Sequence, residues 1–180
     1  RDGAMESIKC KVAIVWMGCP SVGEFWDRDA DDLIVEATYE ALQDAGIGPG
    51  DIQAAWAGTR YTGITALRLS DPLKLQYIPV TRVEALCASG TEAVRGAAYA
   101  VAAGACDIAL AVGFEKLKDS GLGGLPGTPL KPGPVEEYIF APAYFAMLAH
   151  GYFERYGISP QDGKRILANT SCRPKLRRTI

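Results

Sequence analysis

The chain has 180 residues, of which 48% are hydrophobic, so it is long enough to bury a core and fits one domain better than two. Its 19 basic and 21 acidic residues leave a formal net charge of −2, which excludes the strongly basic surface of proteins that bind nucleic acid or anionic membranes. No stretch reaches the roughly 18 consecutive apolar residues of a membrane span, and residues 1–6 lack the apolar core expected of a signal peptide. We therefore predict a cytoplasmic protein without a membrane span.

Five cysteines stand at irregular positions, and no CxxC or Cys/His pair has metal-ligand spacing. We expect reduced thiols, no metal site and no bound cofactor.

The first part of the sequence alternates between strand and helix patterns. Residues 11–18 form an apolar run ending in glycine, which is typical of a strand covered on both faces. Asp31 and Asp32 are predicted to cap a helix that stops at Gly46. A strand, a short helix ending before Pro72, and an extended segment are predicted at residues 52–58, 65–77 and 78–86.

The remaining sequence completes an α/β pattern. A helix over residues 88–104 and an apolar strand over 108–114 continue the alternation, which predicts a mostly parallel sheet. Residues 119–134 are rich in Gly and Pro and predict a long loop, either functional or disordered. Two further helices are predicted, one over residues 141–156 and one capped by Ser159 and starting at Pro160. We assign residues 5–170 to one domain and 171–180 to an unpacked basic tail.

The helix predicted after Cys87 consists largely of small residues. Such a helix lets neighbouring backbones approach closely, so we expect it to be buried against the sheet, as a layer between sheets. Cys87 would stand at its N-terminus, where free amides and the macrodipole favour a nucleophilic thiolate and could bind the oxygen of a thioester under attack. Local features alone favour a second interpretation, in which Cys87 is a small buried residue without chemistry. The other cysteines lack this setting.

The sequence around Cys87 resembles the nucleophile motif of the thiolases. Residues 83–93 read Val-Glu-Ala-Leu-Cys-Ala-Ser-Gly-Thr-Glu-Ala, and in thiolases a Cys-Ala-Ser/Thr-Gly segment opens the central buried helix. Residues 104–116 end in Gly-Phe-Glu-Lys, which resembles the sterol carrier protein 2 (SCP-x) type and the lipid-transfer-protein-like acetyl-CoA acetyltransferases. The resemblance covers residues 8–168 and implies the fold of a thiolase N-terminal half.

The resemblance implies acyl transfer between coenzyme A thioesters. Cys87 would take an acyl group from an acyl-CoA or 3-ketoacyl-CoA and pass it to CoA or to an enolate, so that coenzyme A and acyl-CoA are substrates. Only Cys87 is carried over as catalytic, whereas Glu115 and Lys116 are expected to hold a loop by charge pairing. Thiolases are dimers or tetramers, which implies a homo-oligomer.

Several thiolase features are absent from this sequence. The Asn- or His-bearing motif, the Gly-His-Pro histidine and the second catalytic cysteine do not occur, and the only histidine, His150, matches no catalytic position. We expect His150 to have a packing or surface role, and we expect a truncated chain with weak turnover by itself. Two other functions stay open: a non-catalytic thiolase-like subunit that binds acyl-CoA or a partner, and a related carbon–carbon lyase acting on acyl-CoA side chains.

Overall fold

A computed structural model describes residues 7–121 and 141–171 of the chain. The chain divides into two compact units, Arg1–Gly121 and Leu122–Ile180. Within the described ranges, no helix is long and apolar enough to cross a bilayer. Most of the predicted loop at 119–134 and of the predicted tail at 171–180 lies outside the described residues. The assignment of residues 5–170 to one domain stays a prediction.

The first unit alternates helices with three parallel strands. In chain order the elements are α1 (Ala30–Ala45), β1 (Ala54–Gly58), α2 (Leu67–Leu73), β2 (Val80–Val83), α3 (Ser89–Ala102) and β3 (Ala109–Gly113). The strands lie in the order β2-β1-β3, and both ladders are parallel. The predicted α/β class and the parallel sheet are therefore confirmed.

The central strand β1 divides its side chains between two layers. Ala55 and Ala57 are completely buried, whereas Trp56 and Gly58 point to the opposite face, where they meet α3. The alanines belong to a core cluster that also contains Ile34 and Leu42 of α1, Leu69 and Leu73 of α2, and Leu110 and Val112 of β3. The sheet thus has α1 and α2 in one layer and α3 in the other.

Small residues bring α3 close to the sheet. Ala93 and Ala97 are buried in the contact, and a side chain at Gly96 would overlap the Trp56 indole, whose Nε1 would be 2.6 Å from the added Cβ. This confirms the predicted packing of a small-residue helix against the sheet. The part of the chain that the structure describes contains one sheet, and Val94 and Tyr99 on the other side of α3 are exposed. A layer between two sheets is therefore not formed by these residues.

The strand predicted at residues 11–18 is wrong. Residues 12–20 have no regular secondary structure, and Ile14 is 81% exposed. A buried strand needs backbone partners, but the described strands of the sheet pair with one another and form no ladder with this segment. The segment instead runs across α1, where the Cys19 amide donates to Glu40 Oε2 at 2.9 Å and Gly18 abuts the carbonyl of Ala37.

The predicted start of α1 is displaced. Asp29, rather than Asp31 or Asp32, is the N-cap: its carboxylate accepts from the Asp32 amide at 2.9 Å, and the Asp32 carboxylate accepts from the Asp29 amide at 3.0 Å. Asp31 instead pairs with Arg68 of α2, with 3.3 Å between Oδ1 and Nε. The predicted stop at Gly46 is confirmed, since Gly46 has the left-handed φ of 70°.

The predicted end of α2 before Pro72 is also wrong, because the helix contains this proline and continues to Leu73. Leu69 and Leu73, four residues apart on one helical face, are both buried, and only continued helix places both in the core. Pro72 removes one backbone donor, and the helix ends soon after it, since Lys74 is left-handed with φ 53°. Burial of the second leucine outweighs the missing donor.

The second unit contains two described helices, α4 (Ala141–Tyr156) and α5 (Pro160–Ser171). Both helices lie where the sequence predicted them. Ser159 caps α5 as expected, because its Oγ accepts from the Asp162 amide at 3.1 Å and donates to the Asp162 carboxylate at 2.8 Å. Many of the aromatic residues of α4 are exposed in this unit, including Tyr144 and Phe145.

Candidate active site

The three strands end together at one edge of the sheet. Gly58 is in register with Val83 on one side and with Gly113 on the other, and all three strands run in the same direction. The segments that follow them therefore meet at this carboxyl edge. They contain the residues Thr59–Thr62, Glu84–Cys87 and Phe114–Glu115, which form the candidate site. In open α/β sheets this edge is where ligands usually bind.

Cys87 lies in a short 3₁₀ turn, Leu86–Ala88, which leads directly into α3. It is exposed, so the interpretation of Cys87 as a small buried residue is wrong. The sequence predicted Cys87 at a helix N-terminus, and the structure places it two residues before Ser89, where the α-helix begins. The first turn of α3, which carries a partial positive charge, therefore begins two residues after Cys87.

Close backbone contacts seat the start of α3 on the sheet edge. A Cβ added to Gly58 would be 2.4 Å from the carbonyl oxygen of Ser89, and one added to Gly113 would be 3.0 Å from Gly90 Cα. At Gly58 only glycine permits this approach, whereas at Gly113 a side chain would require the helix start to shift slightly. Because Cys87 immediately precedes the same helical turn, these contacts fix the height of its backbone above the sheet.

Glu115 ties the segment after β1 to the segment after β3. Its carboxylate accepts from the amides of Tyr61 at 3.0 Å and Thr62 at 3.1 Å, from the Arg60 amide, and from the hydroxyls of Thr59 at 3.0 Å and Thr62 at 2.8 Å. Burial raises the pKa of the Glu115 carboxyl, but the donors, with the Arg60 amide foremost, outweigh burial and lower the pKa overall.

The prediction that Glu115 and Lys116 hold a loop by charge pairing needs one correction. Lys116 does pair with a charge, since its Nζ lies 2.8 Å from Asp119 Oδ1. Glu115 holds its loop through amide and hydroxyl donors instead, because converging N–H groups satisfy a carboxylate as well as a cation does. The loop that it holds, residues 59–62, is also one that the sequence did not indicate.

Sequence reasoning missed Arg82 of β2, which completes this arrangement. Its Nε donates to the Gly63 carbonyl at 2.7 Å and its Nη2 donates to the Arg60 carbonyl at 3.2 Å. The loop after β1 therefore has its amides held by Glu115 and its carbonyls held by Arg82. A lone arginine in a four-residue strand gives no sequence signal for such a contact.

The other described cysteines and the histidine have different surroundings. Cys10 and Cys19 are exposed in segments without regular structure. Cys106 is buried in the segment that connects α3 to β3. Burial, followed by the charge of Asp107, raises the pKa of the Cys106 thiol. The His150 side chain is 76% exposed and pairs with Glu154, which confirms the predicted surface role. Among the described residues no group of three or more His, Cys, Asp or Glu side chains could hold a metal ion.

Cys106 is expected to resist alkylation until the first unit unfolds. The thiol is buried and its pKa is raised, so both access and thiolate population are low in the folded protein. Iodoacetamide labelling followed by peptide mass spectrometry should modify Cys10 and Cys19 readily and Cys106 only in denaturant. Equal labelling of all three in buffer would show that Cys106 is not buried.

Comparison with known proteins supplies the family of the chain. Residues 12–122 match the family model described as "Thiolase, N-terminal domain". The chain belongs to the thiolase family. The thiolase match covers the whole first unit from residue 12 onward, including the turn with Cys87 and the glycine contacts at the sheet edge.

Among curated thiolase relatives, the acetyl-CoA acetyltransferase of Methanocaldococcus jannaschii is 35% identical over 160 residues, which is 84% of this chain and 41% of that protein. The acetyl-CoA acetyltransferase of Methanothermobacter thermautotrophicus is 32% identical over 84% of this chain and 42% of its own length. Sterol carrier protein 2 of Gallus gallus is 26% identical over 89% of this chain and 32% of its own length. The chain therefore spans about two fifths of the length of the two acetyltransferases.

The fold agrees with a solved structure. The structure of the "Ltp2-ChsH2(DUF35) aldolase" superposes with a TM-score of 0.56 over 81% of this chain and 38% of that chain, at 22% sequence identity. At this identity the likeness concerns the fold alone.

Proposed function

We propose that the chain supplies the nucleophilic half of an acyl-CoA acyltransferase of the thiolase type, with Cys87 as the residue that carries the acyl group. The observation that carries the proposal is the placement of Cys87, which is exposed in the turn leading into α3 at the carboxyl edge of a parallel sheet. The two archaeal relatives named as acetyl-CoA acetyltransferases support the class of substrate.

The chemistry follows from the position of the thiol. The Cys87 sulfur attacks the carbonyl carbon of an acyl-CoA thioester, the bond from that carbon to the sulfur of CoA breaks, and CoA leaves with the proton that the cysteine has lost. The product is an acyl-cysteine thioester of similar energy. In this proposal, amides of the first turn of α3 stabilise the oxyanion that forms on the thioester carbonyl.

The second half-reaction passes the acyl group to CoA or to an enolate, which requires a base. We propose that this base comes from residues outside the present sequence, since the sequence lacks the catalytic histidine and second cysteine of the thiolases. The chain by itself would then exchange acyl groups with CoA slowly and would not complete carbon–carbon bond formation. We also propose that the chain forms a homo-oligomer.

Isotope exchange tests the proposal, because it needs only the first half-reaction. The 180-residue chain is incubated with acetyl-CoA and isotopically labelled CoA, and label entering acetyl-CoA is measured. We expect slow exchange that Cys87→Ala lowers by at least about a thousandfold. The matched control is Cys19→Ala, which removes another exposed thiol and should leave the rate unchanged.

Two results would count against the proposal. Exchange that persists in Cys87→Ala would remove Cys87 from the chemistry. Saturable acetyl-CoA binding without any exchange in the unmodified chain would instead favour a non-catalytic acyl-CoA-binding subunit.

A further inference from the structure

We infer that the Ser89 hydroxyl is a positioning device for Cys87: it holds Leu86 in a left-handed conformation and thereby sets the direction of the neighbouring thiol. The inference rests on the proposed function, since it concerns the reactivity of Cys87. The sequence alone gives this side chain no role.

The turn before α3 contains a strained residue. Leu86 has φ of 52°, in the left-handed region that side chains other than glycine rarely adopt, and it directly precedes Cys87. Leu86 is 60% exposed, so burial of the leucine does not explain the conformation. Such a conformation costs on the order of 1–3 kcal/mol and persists only where surrounding contacts enforce it.

Ser89 provides the enforcing contacts. Its Oγ accepts from the Ala85 amide at 2.9 Å and donates to the Leu86 carbonyl at 2.7 Å, so that it bridges the two ends of the peptide segment before Cys87. The Leu86 carbonyl also accepts from the Ser89 amide, and the Leu86 amide donates to Glu84 Oε1 at 2.6 Å. Ser89 is only 6% exposed, so water has little access to replace its hydroxyl.

The backbone of Ser89 is fixed independently of its hydroxyl. Its carbonyl lies against Gly58, where an added Cβ would be only 2.4 Å from the oxygen. The hydroxyl therefore projects from a rigid point on the sheet edge toward the turn. Deleting the hydroxyl releases Leu86 toward negative φ while the start of α3 stays seated, which redirects Cys87 without requiring the unit to unfold.

Competitive alkylation within one molecule measures this effect. Ser89→Ala is treated with limiting iodoacetamide, and the rates at individual cysteines are obtained by peptide mass spectrometry. We expect the alkylation rate at Cys87 to fall by about tenfold or more, because the thiol is misdirected, while the rates at Cys10 and Cys19 stay unchanged. Protection of the buried Cys106 reports that the unit is folded. Ser70→Ala deletes a hydroxyl that bonds a helical carbonyl elsewhere and is the matched control.

Two further readouts separate positioning from a merely structural role. In labelled-CoA exchange, Ser89→Ala should lower the maximal rate at saturating acetyl-CoA while leaving the half-saturating concentration unchanged. Ser89→Thr, which keeps the hydroxyl, should restore both the alkylation rate and the exchange rate to within about threefold of the original. A loss of the same size in Ser89→Thr would overturn the assignment, because the hydroxyl would then not be the active feature.

Variants of Leu86 test the inference by changing the left-handed residue itself. They can be measured even if Ser89→Ala does not fold. Leu86→Val places a β-branched residue at positive φ and should reduce the Cys87 rate, whereas Leu86→Asn, which tolerates this region, should retain it. Equal Cys87 rates in the two variants, with Cys106 protected in both, would overturn the inference.

The inference and the proposed function fail in different ways. Acyl exchange that depends on Cys87 but is insensitive to Ser89→Ala refutes the positioning role and leaves the function intact. Absence of exchange, together with a Cys87 alkylation rate that responds to Ser89→Ala, refutes the proposed function and leaves the geometry of the turn intact.

Discussion

Gly58→Ala is expected to lower the free energy of unfolding of the first unit by about 2–3 kcal/mol. The added methyl group would meet the Ser89 carbonyl oxygen at 2.4 Å, the Ser89 carbonyl carbon at 2.7 Å and the Gly90 amide nitrogen at 3.0 Å. All three are backbone atoms of α3, so no flexible side chain can move aside, and the helix start must lift from the sheet. Urea unfolding followed by alkylation of Cys106 measures the change in the unit concerned.

Gly50→Ala is the matched control for this substitution. Gly50 has ordinary backbone torsion and nothing within 4 Å of an added Cβ, so the stability should change by less than about 0.5 kcal/mol. A Gly58→Ala protein as stable as the Gly50→Ala protein would mean that α3 is not seated on the sheet edge as described. Because lifting α3 also moves Cys87, acyl exchange in Gly58→Ala should fall together with stability.

Glu115→Ala is expected to destabilise the first unit by about 2 kcal/mol near neutral pH, because it leaves the amides of residues 60–62 and two threonine hydroxyls without their shared acceptor. Glu36→Ala, which removes an exposed carboxylate paired with Arg28 in the same unit, should change stability by less than about 1 kcal/mol. Urea unfolding with the Cys106 readout applies to both variants, and equal stabilities would show that Glu115 does not hold the loop.

The Glu115 contribution should also depend on pH. Its pKa is lower in the folded protein than the ordinary glutamate value of 4.5, so the carboxylate stabilises the folded state fully above that value. The contribution is lost as the pH falls through the lowered pKa, where the folded state must take up the proton. The stability difference between the original chain and Glu115→Ala should therefore be constant from pH 7 to about pH 5 and shrink at more acid pH. A difference that grows on acidification would contradict the sign of the shift.

The sequence was informative where local pattern and packing agree. Strands β1 and β3 pair with each other, and the small residues of α3 pack against them. Because these contacts agree with the local sequence pattern, the pattern alone predicted the parallel sheet and its covering helix. The first apolar run, residues 11–18, has the same pattern but finds no backbone partner among the described strands, and the strand prediction failed there. An apolar pattern indicates a tendency to be buried, but it does not indicate which strand the segment will pair with.

In the candidate site, too, local sequence predicted some features, whereas others depend on contacts between distant parts of the chain. Cys87 was predicted because its position before a helix of small residues is a local feature, and the resemblance to thiolases added the chemistry. The contacts of Glu115 and Arg82 with the loop after β1 join residues more than 18 positions apart, and no local pattern announces them. The contacts of Ser89 are local in sequence, but the sequence does not predict them, because they depend on a left-handed leucine, a conformation that leucine disfavours.

The most direct test of the account is the location of the acyl group after a single incubation with acetyl-CoA. The chain is quenched in acid, digested and analysed by peptide mass spectrometry, with a parallel sample treated with hydroxylamine, which cleaves thioesters. We expect one acetyl group, removable by hydroxylamine, on the peptide that contains Cys87. Acetyl groups found only on lysines, or spread equally over Cys10, Cys19 and Cys87, would contradict the account.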